Sequence, residues 1–270
     1  MTDQPQKSKF KILEPVEQLH PDGLLCKKWQ GRVYPPFIDP VSVQWLMNNW
    51  DTDGNDVIIC THQKVGTHLT KKFVVEILRM LTDYPESNPM STGDIGHSTV
   101  PWPEVMVSQH GIDDFEQFKN KTQGFPRVWY THCEDDDLPI RNIHPDTKFV
   151  MVFRDPKGAA VSQYFFYKSH PLLRFPEHIT MDDFVKMFLE ENLYFGDYHK
   201  HVLKWVQRCK CRIAKNRLLV LRYEDLVERK YLATKMLNDF LVPEKRLTPD
   251  QMGMVVSCTE FNTMKNSIAA

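Results

Sequence analysis

The stretch Asp56-Val-Ile-Ile-Cys-Thr-His-Gln-Lys-Val-Gly-Thr-His-Leu69 decides the fold. Val57, Ile58, Ile59 and Cys60 form a short unbroken apolar run of the kind found in a central parallel strand, buried on both faces. Leu69, Phe73, Ile77, Met80 and Leu81 then recur at helical spacing. Between them lie Lys64, Gly66, Thr67 and His68. A turn there aims backbone N–H groups and the positive end of the helix at one point, which suits an oxyanion. Lys64 adds a full charge and Gly66 permits close approach. The loop is not a Walker A sequence, which needs two glycines bracketing four residues and then Lys-Ser/Thr; here Lys64 precedes Gly66. Read alone, it fits either an oxyanion site or an ordinary strand-to-helix turn with a solvated lysine.

Around this unit, apolar runs alternate with helical patterns. Arg127 to Thr131, Lys148 to Phe153 and Arg217 to Leu221 read as further strands. Helices are predicted near Pro40–Trp50, over Phe115–Gln123, from Pro156 to Lys168 with Asp155 as its cap, and over Met181–Leu193, Gly196–Arg212, Glu224–Leu241 and Thr248–Cys258. Tyr84 to Pro103 and His170 to Pro176 read as surface loops of the sort that carry binding residues. Strands alternating with helices predict an α/β fold: a mainly parallel central sheet flanked by helices, entered through a P-loop-like strand–loop–helix. Residues 1–11 read as a polar tail and residues 12–270 as one domain.

The composition narrows the function. The 270 residues carry 41% hydrophobic side chains, enough for a sizeable core, and a formal net charge of −1. No global field recruits nucleic acid or an acidic membrane, so an anion site must be local. The six cysteines form neither a disulfide framework nor a zinc spacing. No apolar leader core or membrane-length run occurs. A reduced, cytoplasmic protein with no metal centre is expected.

In parallel α/β sheets ligands gather beyond the carboxyl ends of the strands. Four such ends stand out: Lys64 to Leu69, Thr131-His132, Arg154 with Ser162 two turns later, and Arg222-Tyr-Glu-Asp225. Together they resemble the cytosolic sulfotransferase family, which moves a sulfuryl group from 3′-phosphoadenosine 5′-phosphosulfate (PAPS) to a hydroxyl or amine of an acceptor, leaving PAP. The family's T-Y-P-K-S-G-T-T-W loop is similar to Thr61-His-Gln-Lys-Val-Gly-Thr-His-Leu69, and its K-T-H element to Tyr130-Thr-His132. Its R-N-P-K-D-x-x-V-S-x-Y segment resembles Arg154-Asp-Pro-Lys-Gly-Ala-Ala-Val-Ser-Gln-Tyr164. Its Y-E-D element resembles Tyr223-Glu-Asp225, and its T-S-F-x-x-M-K-x-N element Thr259-Glu-Phe-Asn-Thr-Met-Lys-Asn266. The likeness spans roughly Asp56 to Asn266.

The resemblance implies roles for these residues. His132 would be the general base, a task suited to an imidazole. Lys64 would stabilise charge on the leaving group, backbone donors of Gly66, Thr67 and His68 would hold the same phosphosulfate, and Val65 and Leu69 would complete the cofactor-binding loop. Arg154 and Ser162 would hold the 3′-phosphate, Tyr223 the adenine edge, Phe261 its ring face, and Thr259 would lie beside it. Trp102 and Tyr130 would flank a small-molecule acceptor. His110, Asp113 and Asp114 offer polarity to that acceptor, although ordinary solvated side chains are the commoner explanation. Outside the motif, each of these residues also fits a structural role: a satisfied histidine, a surface ion pair or core packing.

The pattern also departs from the family. Tyr130 stands where the family has lysine, so its hydroxyl or His68 is expected to substitute in part. Leu69 replaces a tryptophan that would stack on adenine. No counterpart of the family's R-K-G-x-x-G-D-W-K segment follows Met264, so Lys157 and Lys265 are the candidates to replace its cations, and oligomeric state, monomer or homodimer, stays open. A nucleotide-binding relative without activity and a small-molecule kinase remain as alternatives; the kinase would need magnesium ligands and a Walker loop that the sequence lacks.

Overall fold

A computed structural model describes residues 17–19, 23–134, 138–190, 192–212 and 215–268. The polar tail read over residues 1–11 lies outside them. The chain opens with an antiparallel meander of β1 (Glu17–Leu19), β2 (Leu25–Trp29) and β3 (Arg32–Tyr34). The β2–β3 hairpin turns through Gln30 and Gly31, both at positive φ, 49° and 78°, as a two-residue hairpin with the right twist requires. The sequence reading missed this small sheet. Helix α1 (Pro40–Asn49) follows, capped by Asp39.

The core unit is β4 (Asp56–Thr61), buried at every position, and α2 (Thr67–Leu81). After a single 3-10 turn at Pro89–Thr92 come α3 (Pro103–Gln109), α4 (Ile112–Lys121), β5 (Arg127–Thr131), β6 (Lys148–Phe153) and α5 (Pro156–Ser169). The remainder is α6 (Met181–Leu189), α7 (Tyr198–Arg212), β7 (Leu218–Arg222), α8 (Tyr223–Glu228), α9 (Lys230–Leu241), α10 (Pro249–Cys258) and α11 (Phe261–Ile268). The stretch read as one helix from Glu224 to Leu241 is therefore two, parted at Arg229 (φ −126°, ψ 47°). Helix α7 begins two residues later than expected, because Phe195 and Gly196 both sit at positive φ. Helix α11 was not foreseen.

The expected α/β architecture is present. The main sheet runs β5-β4-β6-β7, all parallel. From β4 the chain first adds a strand on one side and then returns to add the next on the other. The carboxyl end of β4 is therefore the switch point at which such sheets open a crevice. Register puts Cys60 beside Thr131, Thr61 beside Val152 and Phe153 beside Arg222. Four loops thus leave the sheet side by side, one strand spacing apart, about 5 Å.

One apolar core lies between the sheet and α2, α5 and α9, and includes Val57, Ile59, Phe73, Ile77, Val150, Tyr167 and Leu237. The other face carries Ile58, Cys60, Trp129, Phe149 and Trp205, with Trp50 and Phe115. At the opposite end of β4, Asp56 is fully buried. It accepts from Arg127 at 2.5 and 3.0 Å and from the Trp129 indole at 2.9 Å, locking β5 to β4. Among the described residues, no helix is long and apolar enough to cross a membrane.

Candidate active site

The β4–α2 turn is tight. Lys64 takes φ +63° and Gly66 φ +103°. Gly66 is the helix cap and brings no side-chain acceptor, and α2 has no acidic residue in its first turn. The first-turn N–H groups are therefore left for an outside acceptor. Glycine is required for space as well: a Cβ on Gly66 would lie 2.5 Å from Cδ2 of Tyr223. The hydroxyls of Thr61 and Thr67 bond at 2.9 Å across the base of the turn. The Val65 side chain is fully buried in the core.

His132 follows β5. Its Nδ1 lies 2.7 Å from the Thr61 carbonyl oxygen. A carbonyl only accepts, so Nδ1 carries the proton and Nε2 keeps a lone pair. The ring sits against Trp102, with centroids 4.7 Å apart, and Phe195 at 5.5 Å. Burial, opposed in part by the Thr61 bond, pushes the imidazole down to about 3, so it is neutral at physiological pH. The residues on either side are also fixed. Buried Glu104 accepts from the Thr131 hydroxyl and, at 3.1 Å, from the Cys133 thiol.

Two cations line the same cavity as His132. The Lys64 ammonium lies 4.4 Å above the Phe166 ring. The Arg154 guanidinium lies 4.3 Å over Tyr223 and donates to the Lys64 carbonyl at 3.2 Å. The backbone of Arg154 brackets the Tyr198 hydroxyl, which receives its N–H at 3.0 Å and donates to its carbonyl. Among the described residues, neither cation is paired with a carboxylate. Burial first, and then the Arg154 charge, lower the Lys64 pKa. Two unneutralised like charges this close mark a place built for an anion.

These groups open into one cavity of about 1340 Å³. That exceeds the usual 300–1,000 Å³ of a single-ligand pocket and leaves room for two ligands side by side. Lys64, Gly66, Thr67, His68, Leu69, Trp102, Tyr130, His132, Arg154, Ser162, Tyr223, Thr259 and Phe261 all line it. Phe261 stands at the mouth, 78% exposed. His110 lines the cavity, whereas Asp113 and Asp114 lie in the exposed first turn of α4 and do not. Lys157 is exposed and away from it, and the Lys265 side chain lies outside the described residues.

Phe37, Gln109, Phe166 and Lys230 also line the cavity without having been singled out in the sequence, as do His97 and His170 from the two loops expected to carry binding residues. Lys230 holds the Thr259 carbonyl at 3.0 Å and Glu260 at 2.9 Å, tying α9 to the turn before α11. No local pattern marks Phe37, Phe166 or Lys230; distant elements bring them together.

Residues 54–269 match the family model described as "Sulfotransferase domain". The chain is 26% identical over 236 residues to "Sulfotransferase 1 family member D1" of Mus musculus, covering 87% of this chain and 75% of that protein. It is 27% identical over 216 residues to "Sulfotransferase 1E1" of Homo sapiens, covering 79% and 67%. Among solved structures it is similar to mouse sulfotransferase SULT7A1 complexed with PAP, with a TM-score of 0.64, 21% identity and coverage of 89% and 76%. It is also similar to retinol dehydratase in complex with androsterone and inactive cofactor PAP, with a TM-score of 0.63, 20% identity and coverage of 92% and 74%.

Proposed function

The chain belongs to the sulfotransferase domain family, and on that premise we propose that it transfers a sulfuryl group from PAPS to a hydroxyl or amine of a small-molecule acceptor, with His132 as general base and Lys64 stabilising the leaving group. Residues 12–270 would act as one domain. The observation that carries this reading is the shared cavity. It joins two unneutralised cations, an uncapped helix terminus and a neutral imidazole whose Nε2 is free to accept a proton.

The residues present fit the donor nucleotide. PAPS, when bound, supplies the sulfuryl group and departs as PAP. The N–H groups of Gly66, Thr67 and His68 and the ammonium of Lys64 would hold its 5′ end. Arg154, whose planar fork matches a phosphate, and Ser162 would hold the 3′-phosphate. Tyr223, Leu69 and Phe261 offer apolar faces to the base, with Thr259 beside them.

On the other side, Trp102, Phe37, Val105 and Tyr130 form a mostly apolar wall for the acceptor. The acceptor's proton passes to His132 Nε2, while the Thr61 carbonyl holds the Nδ1 proton and stabilises the imidazolium that results. Charge released towards the nucleotide is met by Lys64 and the helix terminus. Such fixed donors cost no reorganisation at the moment of reaction.

The test is transfer of labelled sulfate from PAPS to a panel of hydroxyl and amine acceptors. His132→Ala is expected to lower turnover by about 10²–10⁴-fold, the usual contribution of a general base. PAP affinity, read by calorimetry, should stay within about threefold, because His132 takes no part in nucleotide binding in this scheme. Undiminished turnover in that variant would refute the assignment of the base.

A further inference from the structure

Helix α2 carries a lysine, Lys71, that the scheme above leaves unused. Lys71 is one turn beyond Thr67 and 1% exposed. Its ammonium lies 4.4 Å above the Tyr130 ring. Among the described residues it has neither a hydrogen bond nor an ion pair. The Asp94 charge favours the ammonium without pairing with it, and its carboxylate is engaged with the Gly96 N–H at 3.1 Å.

We infer that Lys71 is a positioning cation of the transfer site: seated on Tyr130, it sets a positive potential on the wall shared by His68, His97 and His132, where the migrating sulfuryl group and the acceptor must meet.

The geometry supports this in three ways. First, Tyr130 is not a passive platform. Its ring is 5.8 Å from His132, 5.4 Å from Trp102 and 6.1 Å from His97, all of which line the cavity. A charge on its far face is therefore one ring thickness behind the acceptor wall. Second, a buried ammonium without a carboxylate is costly, and a ring face recovers only part of that cost. A position serving packing alone is better filled by leucine or methionine. Third, the groups that feel the charge surround it from separate elements. His68 on α2, His97 in the loop after α2, and His132 after β5 are each held lower in pKa partly by Lys71. Burial brings the ammonium itself down to about 8, still above neutral, so the charged form prevails at pH 7. The positive charge that the Tyr130 position lacks thus enters the same wall from the neighbouring helix.

The inference rests on the sulfotransferase reading, and Lys71→Met separates the two. The substitution removes the charge at nearly constant shape. We expect sulfate transfer at pH 7 to lose about 10- to 100-fold in kcat/KM, PAP affinity to stay within about threefold, and the melting temperature to hold or rise, since a lone buried charge has gone. The wild type should also lose activity as pH rises through about 8, and this limb should vanish in the variant. A lysine with a purely structural role gives the opposite pattern: lower melting temperature and weaker PAP binding together, with the basic limb unchanged. That result, or wild-type transfer by Lys71→Met, overturns the inference and leaves the sulfotransferase reading standing. A wild-type chain that neither binds PAP nor transfers sulfate overturns both.

Discussion

Gly66 does two things that no other residue can do together. It holds φ +103°, and it leaves space for the Tyr223 ring, which a Cβ would meet at 2.5 Å. Tyr223 in turn carries the Arg154 guanidinium at 4.3 Å, and Arg154 reaches back to the Lys64 carbonyl. Gly66→Ala should therefore be felt along the whole chain Gly66–Tyr223–Arg154. We expect a stability loss of about 1–3 kcal/mol from the strained backbone, read by thermal melting. PAP affinity should fall at least about tenfold by calorimetry, because Arg154 is no longer aimed. Unchanged PAP affinity would show that Arg154 does not depend on this contact. The glycine itself is visible in the sequence; the tyrosine that demands it is 157 positions away and is not. The same holds for His132. A lone imidazole can be suspected from Thr131-His132, but which nitrogen is free follows only from the Thr61 carbonyl 2.7 Å away.

At the scale of elements, strands buried on both faces were the easiest to recognise, because nothing interrupts their apolar runs: β5 and β6 fall where Arg127–Thr131 and Lys148–Phe153 place them. The β1–β3 meander was illegible for the opposite reason. Its strands are short, Lys27 and Lys28 fill the middle of β2, and its hairpin turns on Gln-Gly rather than Asn-Gly. The break between α8 and α9 at Arg229 falls at neither glycine nor proline. The site shows the same division. Motifs that follow a strand, such as Lys64–Leu69 or Tyr223-Glu224, could be read, whereas Phe37 and Phe166 reach the cavity only through packing. One clip between elements is directly testable. Asp56 is wholly buried and satisfies Arg127 twice and Trp129 once. Asp56→Ala strands a buried guanidinium and should cost about 3–5 kcal/mol in urea unfolding. A loss below about 1 kcal/mol would mean that water or another acceptor replaces the carboxylate.

Across the whole molecule, the near-zero net charge hides an interior set against acid. His62, His132 and His201 are buried around the carboxyl end of β4, and the His62 and His201 rings lie 5.3 Å apart. Among the described residues, His201 has no hydrogen-bond partner on either nitrogen. Burial is the leading cause of depression in all three: His62 falls to about 4, His132 to about 3 and His201 well below its ordinary value. In the unfolded chain each titrates near 6.5. Above that pH both states are neutral and stability is at its full value. Between about 6.5 and 4 the unfolded chain binds protons that the native state refuses, so stability drains away as pH falls. Three such groups give a slope of up to roughly 4 kcal/mol per pH unit, large against a typical total of about 5–15 kcal/mol. The melting temperature should therefore be flat near pH 7, fall steeply below about 6, and fall less steeply in His201→Phe, which removes one buried imidazole. The consequence for function separates two causes of acid inactivation. The proposed base, His132, with its pKa near 3, is still neutral and able to accept a proton at pH 5. Sulfate transfer should then fail on the acid side where the circular-dichroism signal of the fold fails, and not along a one-proton curve centred near 6.5. Activity that follows such a curve while the fold remains intact would show that His132 titrates as an ordinary exposed imidazole, against the burial by Trp102 and Phe195 on which its role depends.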